Sequence, residues 1–229
     1  MAKPTFSLCV YCGSKPGDDS SFAESAVQVG QWIAQHGGQL VYGGGRNGLM
    51  GVVADATLAA GGRVVGIIPQ ALVEKEWAHH GCTELHVVDN MHERKRLMAE
   101  RADAFLALPG GIGTFEEFFE VWTWRQLGYH DKPVGLLNVE GYWNPLLALV
   151  MGLSMARSIR TLTSAAELIE PAVKGTANVL RAAIAAHTVR RVVMTSSVAA
   201  ISRVWARSCA GSWKTVMAPS RAAAAIARR

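Results

Sequence analysis

Ala104-Phe-Leu-Ala-Leu-Pro-Gly-Gly-Ile-Gly-Thr-Phe-Glu-Glu117 passes from an unbroken apolar run through a proline and three glycines into a helical pattern. A short stretch that is apolar at every position reads as a strand covered on both faces, and the apolar period from Phe115 to Leu127 reads as a helix. A strand that feeds a helix through a glycine turn is the repeating unit of a doubly wound α/β domain. The same alternation extends outward in both directions. Strands are expected at Phe6 to Tyr11, Gln39 to Tyr42, Arg63 to Ile67, Leu85 to Val88, Ala104 to Leu108 and Val134 to Asn138. Helices are expected at Ser21 to His36, Leu49 to Ala60, Met91 to Arg101, Phe115 to Leu127 and Trp143 to Met155. A mostly parallel sheet with helices on both faces follows, its ligand lying outside the carboxyl ends of the strands, where the glycine turns fall.

The chain has 229 residues, 50% hydrophobic and 18% charged, which suits a globular protein and excludes fibrous and disordered classes. The longest uncharged apolar stretch, Gly141 to Ala156, is too short and too polar to span a bilayer, and the N-terminus lacks a secretory pattern. A cytoplasmic protein without membrane contact is expected. The four cysteines, Cys9, Cys12, Cys82 and Cys209, do not make a disulfide framework or a thiolate zinc site. Histidines 79, 80, 86 and 92 lack metal-ligand spacing, so no metal is expected. Gly-x-Ser-x-Gly is absent, which argues against a hydrolase of the serine type.

The net charge of +5 hides a step: residues 1–170 carry −5, whereas residues 171–229 carry +10 and no carboxylate. The basic residues of the second part are scattered among Ala, Val and Ser, so nucleic-acid binding is not expected.

Three segments can bear chemistry. Gly110, Gly111 and Gly113 let the backbone turn and approach a ligand, and the free amides at the start of the next helix suit a phosphate. Thr114-x-x-Glu117 reads equally as a capping box that only begins the helix. A second turn, Tyr42-Gly-Gly-Gly-Arg-Asn-Gly-Leu-Met-Gly51, offers Gly44 and Gly45 as the opposite wall of one pocket, though no Gly-Lys-Ser/Thr closes it as in a P-loop. In Asp89-Asn-Met-His-Glu-Arg-Lys-Arg96, Asp89 or Asn90 caps a helix on which at most one or two of Arg94, Lys95 and Arg96 face a pocket.

Pro109 to Glu117, Met91-His-Glu-Arg-Lys95, Val41-Tyr-Gly-Gly-Gly45 with Gly48-Leu-Met-Gly51, and Cys12-Gly-Ser14 together closely resemble the LOG ("lonely guy") family. Trp124-Arg-Gln-Leu-Gly128, Lys132-Pro133 and Leu136 to Tyr142 extend the resemblance over about residues 6–150. Members are cytokinin riboside 5′-monophosphate phosphoribohydrolases, often mislabelled lysine decarboxylases. The resemblance implies a Rossmann-like, homodimeric subunit that cleaves the N-glycosidic bond of an N6-modified AMP, giving free base and ribose 5-phosphate without a cofactor. It implies Arg94 and Glu117 as the catalytic pair, and Glu76, Lys95, Gly111, Gly113, Thr114 and Thr123 as nucleotide contacts. Such chemistry suits these residues, because cleavage builds positive charge on the sugar and negative charge on the departing base. In this reading the acid and the guanidinium face each other across the sugar–base linkage. The rival is a non-catalytic nucleotide or molybdenum-cofactor carrier of similar fold; a decarboxylase would require pyridoxal phosphate.

The resemblance stops near Val150. Pro171 to Leu180 and Arg190 to Ala200 instead resemble an internal piece of an extended short-chain reductase, spanning about residues 171–201. That piece lacks the reductases' Gly-x-x-Gly-x-x-Gly and Tyr-x-x-x-Lys, which implies no reductase activity. The expected organisation is a nucleotide-hydrolase domain at 1–155, an atypical segment at 156–204, and a basic, poorly ordered tail at 205–229.

Overall fold

The computed structural model describes residues 4–75, 77–152, 160–162, 205–207 and 213–215. The chain divides into two compact units, Met1–Leu168 and Ile169–Arg229. In the first, β1 (Ser7–Tyr11), β2 (Gln39–Tyr42), β3 (Arg63–Pro69), β4 (Glu84–Val88), β5 (Ala104–Ala107), β6 (Val134–Leu137) and β7 (Arg160–Leu162) form one sheet. Its order is β4-β3-β2-β1-β5-β6-β7, with every pairing parallel. Helices α1 (Ser20–Gln35), α2 (Gly48–Ala59), α3 (Gln70–Val73), α4 (Met91–Arg101), α5 (Ile112–Leu127) and α6 (Asn144–Gly152) follow the strands. This is the doubly wound, Rossmann-like α/β architecture that the strand–helix alternation predicts.

The strands are apolar throughout because both faces are covered. Cys9, Tyr11, Val41, Val65, Phe105 and Leu136 point to one face, where they pack with Met98 of α4, Phe118 and Trp122 of α5, and Trp143. Leu8, Val10, Leu40, Val64 and Leu106 alternate with them and are equally buried on the other face, the side of α1 and α2. Helix α1 buries Ala26, Val29, Gly30 and Ile33, a stripe at helical spacing. Gly30 permits its close approach to α2, since a Cβ there would lie 2.6 Å from the Val53 carbonyl oxygen.

Several boundaries shift from the expected ones. Helix α5 starts at Ile112 instead of Phe115, because Ile112 is 86% exposed and contributes nothing to the apolar period that marks a helix in sequence. The short α3 and strand β7, which pairs with β6, had no sequence signal of their own. Of the second unit, β8 (Trp205–Arg207) and β9 (Trp213–Thr215) form an antiparallel pair inside the stretch expected to be a tail. In the sequence, 165–169 and 173–186 also read as helical and 190–195 as a strand, and all three lie outside the described residues.

Candidate active site

Strand β1 lies between β2 and β5, so the chain winds away from it in both directions and opens a crevice at the carboxyl ends of these strands. Three glycine turns meet there. The Gly13 amide donates to the Pro109 carbonyl at 3.1 Å, and the Gly13 carbonyl accepts from the Leu49 amide at 3.0 Å. The turn after β2 is held from its far side, where Gly44, with φ of +72°, accepts from the His79 amide and Gly45 bridges Ala78.

Gly110 has no room for a side chain: a Cβ would stand 2.1 Å from the Thr114 hydroxyl and 2.8 Å from the Gly13 nitrogen. Gly111 and Gly113 instead border open space. Gly111 is the N-cap of α5 and, like any glycine, supplies no side-chain cap, so the first amides of a long helix are left facing the crevice. The capping-box reading is thereby corrected. With the cap at Gly111, Thr114 and Glu117 both lie inside the helix, and Glu117 is turned to another partner.

That partner is Arg94. The N-cap Asn90 starts α4 by accepting from the Glu93 amide at 2.9 Å, which sets Arg94 one turn in, facing the sheet. Its Nη1 donates to Glu117 Oε1 at 2.9 Å, Nε to the Ile67 carbonyl at 3.1 Å and Nη2 to the Gly43 carbonyl at 3.2 Å. Both members of the pair are buried. Burial pushes the Glu117 carboxyl above the usual carboxylate range, the Arg94 charge pulls the other way, and Glu116 adds to the rise. No protein donor reaches Glu117 Oε2 among the described residues, so that oxygen can take a water. The two groups are in direct contact, whereas the sequence reading set them on either side of a sugar–base linkage.

The remaining candidates divide. Gly44, Gly45, Gly110 and Gly111 lie on the converging turns, and Gly113 and Thr114 in the first turn of α5. Lys95 turns to α5, where its ammonium lies between Glu116 and Glu120, at 3.1 Å from the latter. Burial works against its charge, but the bonds from these two carboxylates outweigh it and raise the pKa. Arg96 is exposed and pairs with Glu100. Thr123 is exposed, about 13 Å along α5 from Thr114 at the helical rise per residue. Glu76 lies outside the described residues.

Gly43 was passed over in the sequence in favour of its two neighbours. Its missing side chain matters most, because a Cβ there would fall 1.7 Å from Arg94 Nη2. The signal was present in the triple glycine, but only the fold shows which of the three meets the guanidinium.

Among known families, the model described as "Possible lysine decarboxylase" matches residues 50–179. A cytokinin riboside 5′-monophosphate phosphoribohydrolase of Rhodococcoides fascians is 54% identical over 152 residues, 66% of this chain and 77% of that protein. The chain belongs to the LOG family. Members of the same name from Arabidopsis thaliana and Oryza sativa are 51% and 50% identical, over 62% of this chain in both cases. The aligned stretches span 66% and 59% of those two plant proteins. Among solved structures, the molybdenum cofactor binding protein of Rippkaea orientalis superposes with a TM-score of 0.57 at 22% identity, covering 74% of this chain and 95% of that one. The Moco carrier protein of Chlamydomonas reinhardtii does so with 0.57 at 22%, covering 76% and 96%. At that identity the likeness is one of fold. The decarboxylase description implies pyridoxal phosphate, whose Schiff base needs an uncharged lysine amine. Lys95, beside Arg94 on α4, is held charged between two carboxylates and does not supply one.

Proposed function

We propose that the chain is a hydrolase that cleaves the N-glycosidic bond of an adenosine 5′-monophosphate carrying an N6 substituent, releasing free base and ribose 5-phosphate. The observation that carries this reading is the buried Arg94–Glu117 pair at the mouth of a crevice whose other wall is a row of open amides. The relatives of about 50% identity bear the name of that activity.

The 5′-phosphate binds at Gly111 to Thr114, and its binding energy holds the sugar in place for reaction. As the C1′–N9 bond breaks, its electron pair leaves with the purine and positive charge grows on the ribose. Arg94, with three N–H groups fixed by Ile67, Gly43 and Glu117, offers its remaining donors to the negative charge on the base. Glu117 Oε2 orients a water toward C1′ and takes its proton as the C1′–O bond forms, a task suited to a carboxyl whose pKa burial has raised. Arg94 also keeps that carboxylate ionised and ready, which explains why the two are in contact. Lys95 serves this site indirectly, by fixing Glu116 beside Glu117 and Glu120 one turn further along α5.

The proposal includes a homodimer in the cytoplasm. Phe119, Thr123 and Leu127 form an exposed stripe on α5, the face on which a second copy would bury two apolar side chains and bring Thr123 to a partner. No described helix is long and apolar enough to cross a membrane.

The deciding experiment incubates the full chain with AMP, N6-isopentenyl-AMP and other nucleoside monophosphates, and separates the products by chromatography. Free base and ribose 5-phosphate in equal amounts are expected. If the folded protein releases neither from any of them, the hydrolase reading fails and a carrier role takes its place.

A further inference from the structure

The β6–α6 connection reaches back to the glycine turn of α5. After β6 the backbone enters the left-handed region at two successive residues, Glu140 with φ of +46° and Gly141 with φ of +74°. Glu140 is the one described residue other than glycine with a positive φ, and strain of this kind persists where the surroundings over-determine it. The Asn138 side chain accepts from the Trp143 amide at 2.8 Å and donates to Asn144 at 2.9 Å, closing the loop on itself. The result presents Tyr142, whose ring packs edge-on against Phe22 at 5.5 Å and Trp143 at 5.0 Å. Its hydroxyl donates to the Gly110 carbonyl.

We propose that Tyr142 is a positioning residue that aims the Gly111 amide at the phosphate of the substrate; this deepens the hydrolase reading and rests on it for the identity of the anion. In a trans peptide the C=O and the N–H point in opposite directions across one rigid plane. Holding the Gly110 carbonyl toward Tyr142 therefore turns the Gly111 N–H toward the crevice. Glycine at 110 and 111 leaves that plane free to rotate, since neither residue has a side chain to restrict it. The Gly13 amide fixes the preceding carbonyl, that of Pro109. The plane between Gly110 and Gly111 has the Tyr142 hydroxyl as its tether. A strained loop that ends in a single hydroxyl on a single carbonyl serves orientation more than packing.

The test is Tyr142→Phe in the full chain, which keeps both ring contacts and removes only the hydroxyl. Three quantities are read: affinity for ribose 5-phosphate by calorimetry, KM and kcat for AMP and for adenosine, and Tm. Loss of one orienting hydrogen bond should weaken ribose 5-phosphate binding about three- to tenfold. KM for AMP should rise by a similar factor at nearly constant kcat, while the constants for adenosine, which has no phosphate, and Tm stay unchanged. Equal effects on AMP and adenosine, or unchanged affinity for ribose 5-phosphate, would overturn the proposal. The unaltered protein gives an independent check: titration with ribose 5-phosphate must shift the Gly111 amide resonance, and a resonance that does not move overturns the proposal even if the variant fails to fold. Should ribose 5-phosphate bind in a Tyr142-dependent way while no base is released from AMP, the hydrolase reading fails and the positioning role stands.

Discussion

The two ends of the sheet solve opposite problems with the same kinds of residue. At the amino end, polar groups close on one another near solvent: the Ser7 amide donates to Asp103 at 2.7 Å, Gln39 donates to the Ser7 hydroxyl at 2.9 Å, and Glu84 gathers Arg63 at 2.6 Å and Arg101 at 3.1 Å. At the carboxyl end an arginine and a glutamate are buried, and helix amides are left open. The contrast shows in the carboxyls. The His86 bond, with Arg101 and Arg63, holds Glu84 below its ordinary value, whereas burial lifts Glu117 above its own. At one end the charges offset one another near solvent, and at the other a charge is held where burial disfavours it, which is the arrangement the proposed catalysis uses.

The strongest way to break this comparison is Glu117→Gln. The amide oxygen still accepts from Arg94, so the protein should fold, while turnover of AMP drops about 10²–10⁴-fold with the loss of the base. A folded variant with normal turnover would end the catalytic assignment. Arg94→Met should cost about 3–5 kcal/mol in denaturant unfolding, because it strands Glu117 as a buried charge without a partner. Gly43→Ala should fold but push the guanidinium aside, and a displacement of about 1 Å lowers turnover roughly a hundredfold. An intact rate would show that Arg94 need not sit where it does.

The pH dependences should have opposite signs. Between 4.5 and its raised value, the native Glu117 keeps a proton that the unfolded chain has lost, so the stability it contributes falls as pH rises through that interval. Turnover rises over the same interval as the base ionises, and the acid limb of the rate profile lies above the ordinary carboxylate range. Glu84 does the reverse: its contribution is present above 4.5 and disappears as pH falls through its lowered value. Titration of Glu117→Gln and Glu84→Gln against the parent by thermal unfolding checks the signs. The smallest effect expected is that of Glu84→Gln, about 0.2–1 kcal/mol of stability near neutral pH for a half-exposed pair, with kcat and KM unaltered.

Most of the sheet was legible because strands apolar at every position and glycines at their ends are local signals. Met91 to Arg101 coincided with α4 to the residue, its start marked by Asn90. Helix α5 was read three residues short, since an exposed isoleucine and a glycine are silent in a pattern based on burial. Candidate site residues could be named from the sequence, most of them through resemblance. Their arrangement could not be read there, because the pairing of Arg94 with Glu117, of Lys95 with Glu116 and Glu120, and of Tyr142 with Gly110 joins residues more than twenty positions apart.

Sequence by itself determined most of the succession of strands and helices in the first unit, the winding of the sheet and the family, because periodicity, caps and glycine turns act between near neighbours. Only the tertiary structure decided which polar groups meet. Charge and hydrogen-bond capacity are written in the residue types, but the burial that lifts the Glu117 pKa, and the contact that puts Gly43 against a guanidinium, exist only when distant segments pack together.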